Sequence, residues 1–418
     1  MRRALLLFVT LVSVPRAAWA QGNPLGPEFL INTYTTDDQQ YPSVAADSDG
    51  DFVVVWRGNL QDGSSHGVFG QRYDSGGTPL GSEFRVNTYT TDSEGAAAVS
   101  SDASGNFVVV WQQSVGQDGS SAGVFGQRYA SSGAPLGPEF QINTFTPGPQ
   151  YGPDVASDTS GNFVVVWTSA QDGSGNCVVG QRYASSGAPI GSEFLVNTYT
   201  TGYQWRARVA SDSAGNFVVV WQSFEQDGSN YGVFGQRFAS TGAPVGPEFR
   251  VNTHTTDYQN RPFVASDSSG DFVVVWRSNL QDGSSLGVFG QRYASSGAPL
   301  GAEFRVNTFT TSAQFHPVVA ADSSGNFVVA WHGYQQESGS SVGVFGQRFD
   351  SSGAPSGPEF RVNTFTPGNQ FAPSVAADAV GDFVVVWNGP TQDGSGYGVL
   401  GQLYRPIVPV ELMRFGVE

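Results

Sequence analysis

The chain has 418 residues, with 54 Gly, 23 Pro and only 13% charged residues, and its net charge is −16. All 20 basic residues are Arg, which excludes lysine Schiff-base and P-loop chemistry, and the acidic balance argues against nucleic-acid binding. One cysteine, Cys177, allows neither an internal disulfide nor a multi-cysteine zinc site.

Residues 1–20 read as a secretory signal peptide. Arg2 and Arg3 precede an apolar run from Ala4 to Val14, and Ala18-Trp19-Ala20 fits a small-x-small cleavage site. The run is too short for a membrane span, and no later segment is apolar enough for one. A bacterial protein exported by the Sec route, soluble and monomeric, is therefore expected at or beyond the cell surface.

Residues 21–404 are repetitive. Glu-Phe recurs at Glu28, Glu83, Glu139, Glu193, Glu248, Glu303 and Glu359, in steps of 54 to 56 residues. A tryptophan closes an apolar run in each unit, at Trp56, Trp111, Trp167, Trp221, Trp276, Trp331 and Trp387. Each unit predicts four strands, in the first unit Pro42–Asp47, Asp51–Trp56, Gly67–Tyr73 and Glu83–Tyr89. The continuous run Asp-Phe-Val-Val-Val-Trp is what a strand buried on both faces looks like. Asp-x-x-Gly, Gln-Asp-Gly-Ser and Ser-Gly-x-x-Pro supply the turns. Seven four-stranded units with no helical pattern point to an all-β, seven-bladed β-propeller of antiparallel blades. The chain starts with a lone outer strand, Glu28–Tyr34, and its last unit lacks one. The N-terminal strand is expected to complete the last blade and close the ring. The segment Val410–Val417 of the tail, residues 405–418, is the competing occupant of that slot.

The unit, EFxVNTYT…VAxDxxGxFVVVW…QDGS…GVFGQRYxSSGxPLG, resembles a repeat of secreted bacterial repeat and surface proteins of largely unknown function. Its strand rhythm is similar to TolB-type propellers. The resemblance implies a propeller and an extracellular setting, and names no ligand.

The seven copies differ in two places. One is the loop after the tryptophan, as in Gln112 to Gly116, Gln222 to Glu225 and His332 to Gln335. The other is a residue pair after a nearly constant Gln: Gln40/Tyr41, Gly95/Ala96, Tyr151/Gly152, Trp205/Arg206, Asn260/Arg261, Phe315/His316 and Phe371/Ala372. In an up-and-down blade both places lie on the same side of the disc, so diversity is expected on one face, where recognition is usually sited. Unconstrained loop drift would also produce it. The candidate ligand-binding residues are Tyr41, Tyr151, Trp205, Arg206, Arg261, Phe315, His316 and Phe371, expected around the channel mouth. Aromatics beside Arg suit stacking and hydrogen bonding to a sugar, or anchoring of a protein.

Asp47, Asp102, Asp158, Asp212, Asp267, Asp322 and Asp378 each precede a Gly by three and read as turn locks. Asp47, Asp49 and Asp51 form a candidate calcium loop, present in one copy only; no other cofactor is expected. The Arg72 series and the Glu28 series, equally regular, predict inter-strand ion pairs. Cys177 is expected to be a buried thiol. Folding would bring His316 and His332 together.

The first functional reading is a non-catalytic recognition or adhesion module for extracellular carbohydrate or protein. The second is a glycoside hydrolase or polysaccharide lyase at the channel mouth, with Glu94, Glu225 and His316 as candidate acids or bases. The third is an architectural matrix protein.

Overall fold

The Phe-Val-Val-Val-Trp run decides the architecture, because both of its faces must find apolar neighbours. In the first unit Phe52, Val54 and Trp56 pack toward the last unit, against Val384, Val386, Val399 and Leu403. Val53 and Val55 point the other way, against Phe107, Val109 and Trp111 of the second unit. The pattern repeats around the molecule, and the seven tryptophans that close these runs are fully buried between sheets. A sheet sandwiched on both faces by copies of itself can satisfy every copy only in a closed ring.

That ring is present in the computed structural model, which describes residues 24–405 apart from 64, 92, 115 and 337–341. Seven four-stranded antiparallel sheets form seven blades. Blade 1 runs outward from the axis as Gln39–Ala46, Phe52–Asn59, His66–Tyr73 and Phe84–Arg85. The inner strands of blades 2 to 7 are Glu94–Ser101, Tyr151–Ser157, Gln204–Ser211, Gln259–Ser266, Gln314–Ala321 and Phe371–Ala377. Each inner strand contacts the next around a closed circle, the seventh touching the first. No helix among the described residues is long and apolar enough to cross a membrane. The expected signal peptide and most of the tail lie outside the described residues.

The N-terminal strand closes the ring. Phe29 and Leu30 pair with Gly401 and Leu400 on the outer side of blade 7. Thus residues 24–34 and 373–404, at opposite ends of the chain, share one sheet.

Two expectations need correction. The outer strands are mostly two residues long instead of the seven read from Glu83 to Tyr89. Val86 N still donates to Val68 O (2.8 Å), and beyond it the ladder is replaced by a side chain: Val68 N donates to Asn87 Oδ1 (2.8 Å), and Asn87 Nδ2 donates to Tyr89 O (2.7 Å). The predicted Arg–Glu pairing also gives way, in the first unit, to bonds with neutral groups. Arg72 donates to Leu80 O (2.8 Å) and to Ser131 O of the next blade. Glu83 accepts from Thr33 N (2.6 Å) and Thr33 Oγ1 (2.9 Å) of the preceding blade. Glu28 closes this series by accepting from Thr364 N (2.6 Å). Both charges thus bond to neutral groups across blade boundaries.

On the face of the Asp-x-x-Gly turns, Asp47 Oδ1 accepts from the backbone N–H groups of Asp49 and Asp51 (both 3.0 Å). The same acceptor role recurs at Asp102, Asp158, Asp212, Asp267, Asp322 and Asp378. Gly105 of blade 2 has φ +77°, and a Cβ there would sit 2.7 Å from Asp47 Oδ2. Glycine therefore serves both the turn and the close approach of blades. A belt of hydroxyls reinforces this face: Ser213 Oγ donates to Ser268 O (2.7 Å) and Ser268 Oγ to Ser323 O (2.8 Å).

Candidate functional site

The opposite face carries the diversity. Trp205 and Gln222 are direct partners in the strand ladder of blade 4. The variable pair and the residue after the tryptophan therefore lie side by side, as the loop geometry predicts. Six further pairs repeat this placement, including Phe315 with His332 and Asn260 with Arg277.

Each inner strand breaks register at this level. In blade 1 the slip falls between Gln40 and Ser43, and every other blade has the equivalent slip. The second residue of each variable pair sits in the slip with a left-handed backbone. Tyr41, Ala96, Arg206, Arg261, His316 and Ala372 have φ between 48° and 57°, and Gly152 has φ 62°. A side chain in this conformation costs about 1–2 kcal/mol, so glycine is the residue that stability alone would select. Glycine occupies one copy of seven. In three blades the bulge N–H is held by the residue after the tryptophan of the preceding blade: Asn388 Oδ1 accepts from Tyr41 N (3.0 Å), Gln112 Oε1 from Gly152 N (3.3 Å) and Gln222 Oε1 from Arg261 N (3.1 Å).

The candidate residues do not form an even ring. Blades 4 to 6 gather Trp205, Arg206, Arg261, Phe315 and His316. Arg206 stacks over Trp205 at 4.7 Å, and Trp205 meets Tyr231 at 6.2 Å between centroids. Arg261 Nη1 lies 3.0 Å from His316 Nδ1, an arrangement that requires a neutral imidazole. His316 stacks on His332 at 5.1 Å and 25°, and His332 on Phe315 at 5.6 Å and 15°. The expected meeting of the two histidines thus occurs. Tyr41 is exposed beneath Arg57, 4.7 Å from its guanidinium. Tyr151 accepts a hydrogen bond from Asn176, and Phe371 packs edge-on against Tyr397 at 5.1 Å.

The sequence reading missed three members of this cluster, Arg208, Arg277 and Asp154, and the stacking of His332 on Phe315. Arg208 lies over Phe263 at 5.0 Å, and Arg277 over Phe315 at 5.2 Å while its Nε donates to Asn260 Oδ1 (3.0 Å). The signal for Arg277 was available at the residue after each tryptophan. Arg208 and Asp154 follow the slip, where no loop pattern points to them.

Burial dominates the electrostatics. It pulls Arg206 and Arg261 down to about 10, reinforced for Arg206 by Arg261 and Arg208, and for Arg261 by Arg277 and Arg208. Burial, then Arg261 and Arg277, hold His332 down to about 3, and burial keeps His316 lower still. Both imidazoles are neutral at pH 7. The seven inner strands carry two carboxylates, Glu94 and Asp154. Asp154 Oδ2 accepts from Val209 N (2.9 Å), and burial raises its pKa against the opposing pull of Arg208.

The catalytic candidates do not converge. Glu94 is fully buried inside blade 2, at the position held elsewhere by a Gln, which in blades 1, 3 and 7 accepts the tryptophan indole N–H. Glu225 is exposed in the turn beyond blade 4's second strand, its carbonyl accepting from Gly228 N (3.2 Å). The calcium loop does not fit either. Asp47 Oδ1 is occupied by two backbone donors and Asp51 Oδ1 accepts from Ser75 N (3.0 Å). Among the described residues no group of three or more His, Cys, Asp or Glu side chains is arranged to hold a metal ion. Cys177 is buried, and its Sγ lies 3.3 Å from Ser169 O.

Neither a family model nor a curated protein matches the chain. Solved structures do. A protein of unknown function from Dyadobacter fermentans is 12% identical over 90% of this chain and 97% of its own, with a TM-score of 0.53. The GH93 alpha-L-arabinofuranosidase of Fusarium graminearum is 11% identical over 92% and 97%, with a TM-score of 0.48. The alpha-L-arabinanase of Penicillium chrysogenum is 13% identical over 90% and 97%, with a TM-score of 0.47. At 12% identity the likeness to the Dyadobacter fermentans protein is one of fold alone.

Proposed function

We propose that this chain is an exported, non-catalytic recognition module that binds extracellular carbohydrate through the variable face. One observation carries the reading. Six of seven blades place a side chain at a left-handed bulge where glycine would cost less. Strain that persists at a rim of differing residues belongs with binding, where display outranks stability. Aromatic surfaces stand next to hydrogen-bonding cations there, the combination that sugar rings and hydroxyls require. The resemblance of the repeat to those of secreted bacterial surface proteins supports the extracellular setting.

Hydrolysis is the weaker reading because two-carboxylate chemistry needs a pair flanking the scissile bond. Glu94 is enclosed within its blade and Asp154 is bonded to Val209 N. The test is a glycan array with the full chain, followed by Trp205→Ala and Phe315→Ala. Retained glycan binding in wild type, lost in both variants with the circular dichroism spectrum unchanged, is the expected result. Silence across the array, or turnover of a bound polysaccharide, would overturn the reading.

A further inference from the structure

Four guanidinium groups, Arg206, Arg208, Arg261 and Arg277, come from neighbouring blades 4 and 5 and act on one another. The strongest charges on Arg261 are the cations Arg277 and Arg208, and Arg206 feels Arg261 and Arg208. Among the described residues no carboxylate is paired with Arg206, Arg261 or Arg277; their neighbours are Trp205, His316 and Phe315. Asp154 answers Arg208 alone. In a protein of net charge −16, such a concentration of partly buried cations is a local choice of sequence.

A second observation is independent of the charges. His332 is 8% exposed and its Nδ1 has no hydrogen-bond partner, and Arg208 Nε is likewise buried without one. Orphaned buried donors and acceptors cost about 1–3 kcal/mol each, and they persist where a ligand or water completes them. Partly buried like charges plus unfilled polar atoms describe half of an ion-binding site, with the anion as the other half.

We infer that the sector formed by Arg206, Arg261, Arg277 and His332 binds the anionic group of an acidic saccharide, a carboxylate or sulfate ester, with Trp205 and Phe315 as platforms for the sugar rings. This rests on the carbohydrate reading and narrows it to acidic polymers. A guanidinium fork matches the two oxygens of such a group, and delocalised charge tolerates partial burial better than an ammonium. The absence of lysine from the chain agrees with that choice. A single anionic group must enter the sector, with neighbouring sugars lying on the aromatic surfaces.

The experiment is calorimetric titration of the full chain with three hexasaccharides: an oligogalacturonate, a sulfated chondroitin fragment and a neutral galactan. Wild type, Arg206→Gln, Arg261→Gln and Arg277→Gln are compared at two salt concentrations. The expected result is at least tenfold tighter binding of an acidic than the neutral hexamer, weakened at least tenfold by each substitution and by added salt. The three variants should keep the wild-type circular dichroism spectrum, so that lost binding reports the site and not unfolding. Preference for the galacturonate assigns a carboxylate, and preference for the chondroitin fragment a sulfate ester. Competition by inorganic sulfate, at constant ionic strength on the wild-type protein, tests the site without any variant; failure to compete counts against it. Equal binding of the neutral hexamer, unaffected by the substitutions, would overturn this inference and leave carbohydrate recognition standing. Binding of none of the three, with neutral glycans also silent on the array, would remove both.

Discussion

Ring closure can be tested with an internal control that the repeats provide. Ile31, on the N-terminal segment, and Ile142, in the middle of the chain, occupy the same position of their units. Each is 1% exposed. Ile31 N donates to Val399 O and Ile142 N to Val124 O, both at 2.8 Å. Tyr73 Oη donates to Ile31 O at 3.0 Å, and Tyr183 Oη to Ile142 O at 3.3 Å. Ile31 packs between blades 7 and 1, and Ile142 between blades 2 and 3. Replacing either by alanine removes about three buried carbons, roughly 2.4 kcal/mol of transfer free energy. The cavity left behind brings the total to about 2–5 kcal/mol. With an unfolding entropy of roughly 2.1 cal/mol/K per residue over about 380 residues, the melting temperature should fall by about 3–6 °C in each variant. Thermal unfolding followed by circular dichroism and calorimetry reads both numbers. Equal losses are expected, because a closed ring has no weak seam. A loss of several degrees in Ile142→Ala with none in Ile31→Ala would show that another segment fills the outer slot of blade 7, and the closure argument would fail.

Acid should destabilise the fold through the two stacked histidines. Their folded forms stay neutral far below the unfolded value of about 6.5, so the unfolded chain binds more protons, and stability declines as pH falls below about 6.5 toward about 3. At pH 5 His332 alone removes about 2 kcal/mol, and His332→Gln should flatten the melting profile between pH 7 and 5; an unchanged slope would contradict its neutral burial. Burial pushes the Cys177 thiol up to about 11, so it should resist a disulfide reagent at pH 8 until guanidinium is added; rapid labelling of the native protein would refute its enclosure. Asp212 Oδ1 accepts from Ala214 N (2.9 Å) and Asn216 N (2.8 Å), so Asp212→Ala should cost about 1–2 kcal/mol. Calcium or a chelator should leave the melting temperature unchanged, and a shift of several degrees would restore the Asp47–Asp49–Asp51 loop as a cation site.

Chain periodicity alone determined the seven blades and their four-stranded units, and it left the N-terminal strand and the tail as competing occupants of the last blade's outer slot, between which the pairing of Phe29 and Leu30 with Gly401 and Leu400 decided. The reason is local: a repeated Val-Val-Val-Trp run buried on both faces, with polar turns at fixed offsets, has few ways to bury itself. It also placed the variable pairs on one face, since strand alternation and loop order fix sidedness. It could not show that Arg72 and Glu83 bond away from each other, because their partners, Ser131 O and Thr33 N, belong to neighbouring blades. Nor could it separate Tyr41, exposed under Arg57, from Arg261, half-buried beside His316. Only the tertiary structure gathers Arg206, Arg208, Arg261 and Arg277, up to 71 positions apart, around one sector of the channel mouth. The left-handed bulge is equally invisible in the sequence, for the residues it holds are mostly not glycine, and its cost is met by the blades packed on either side.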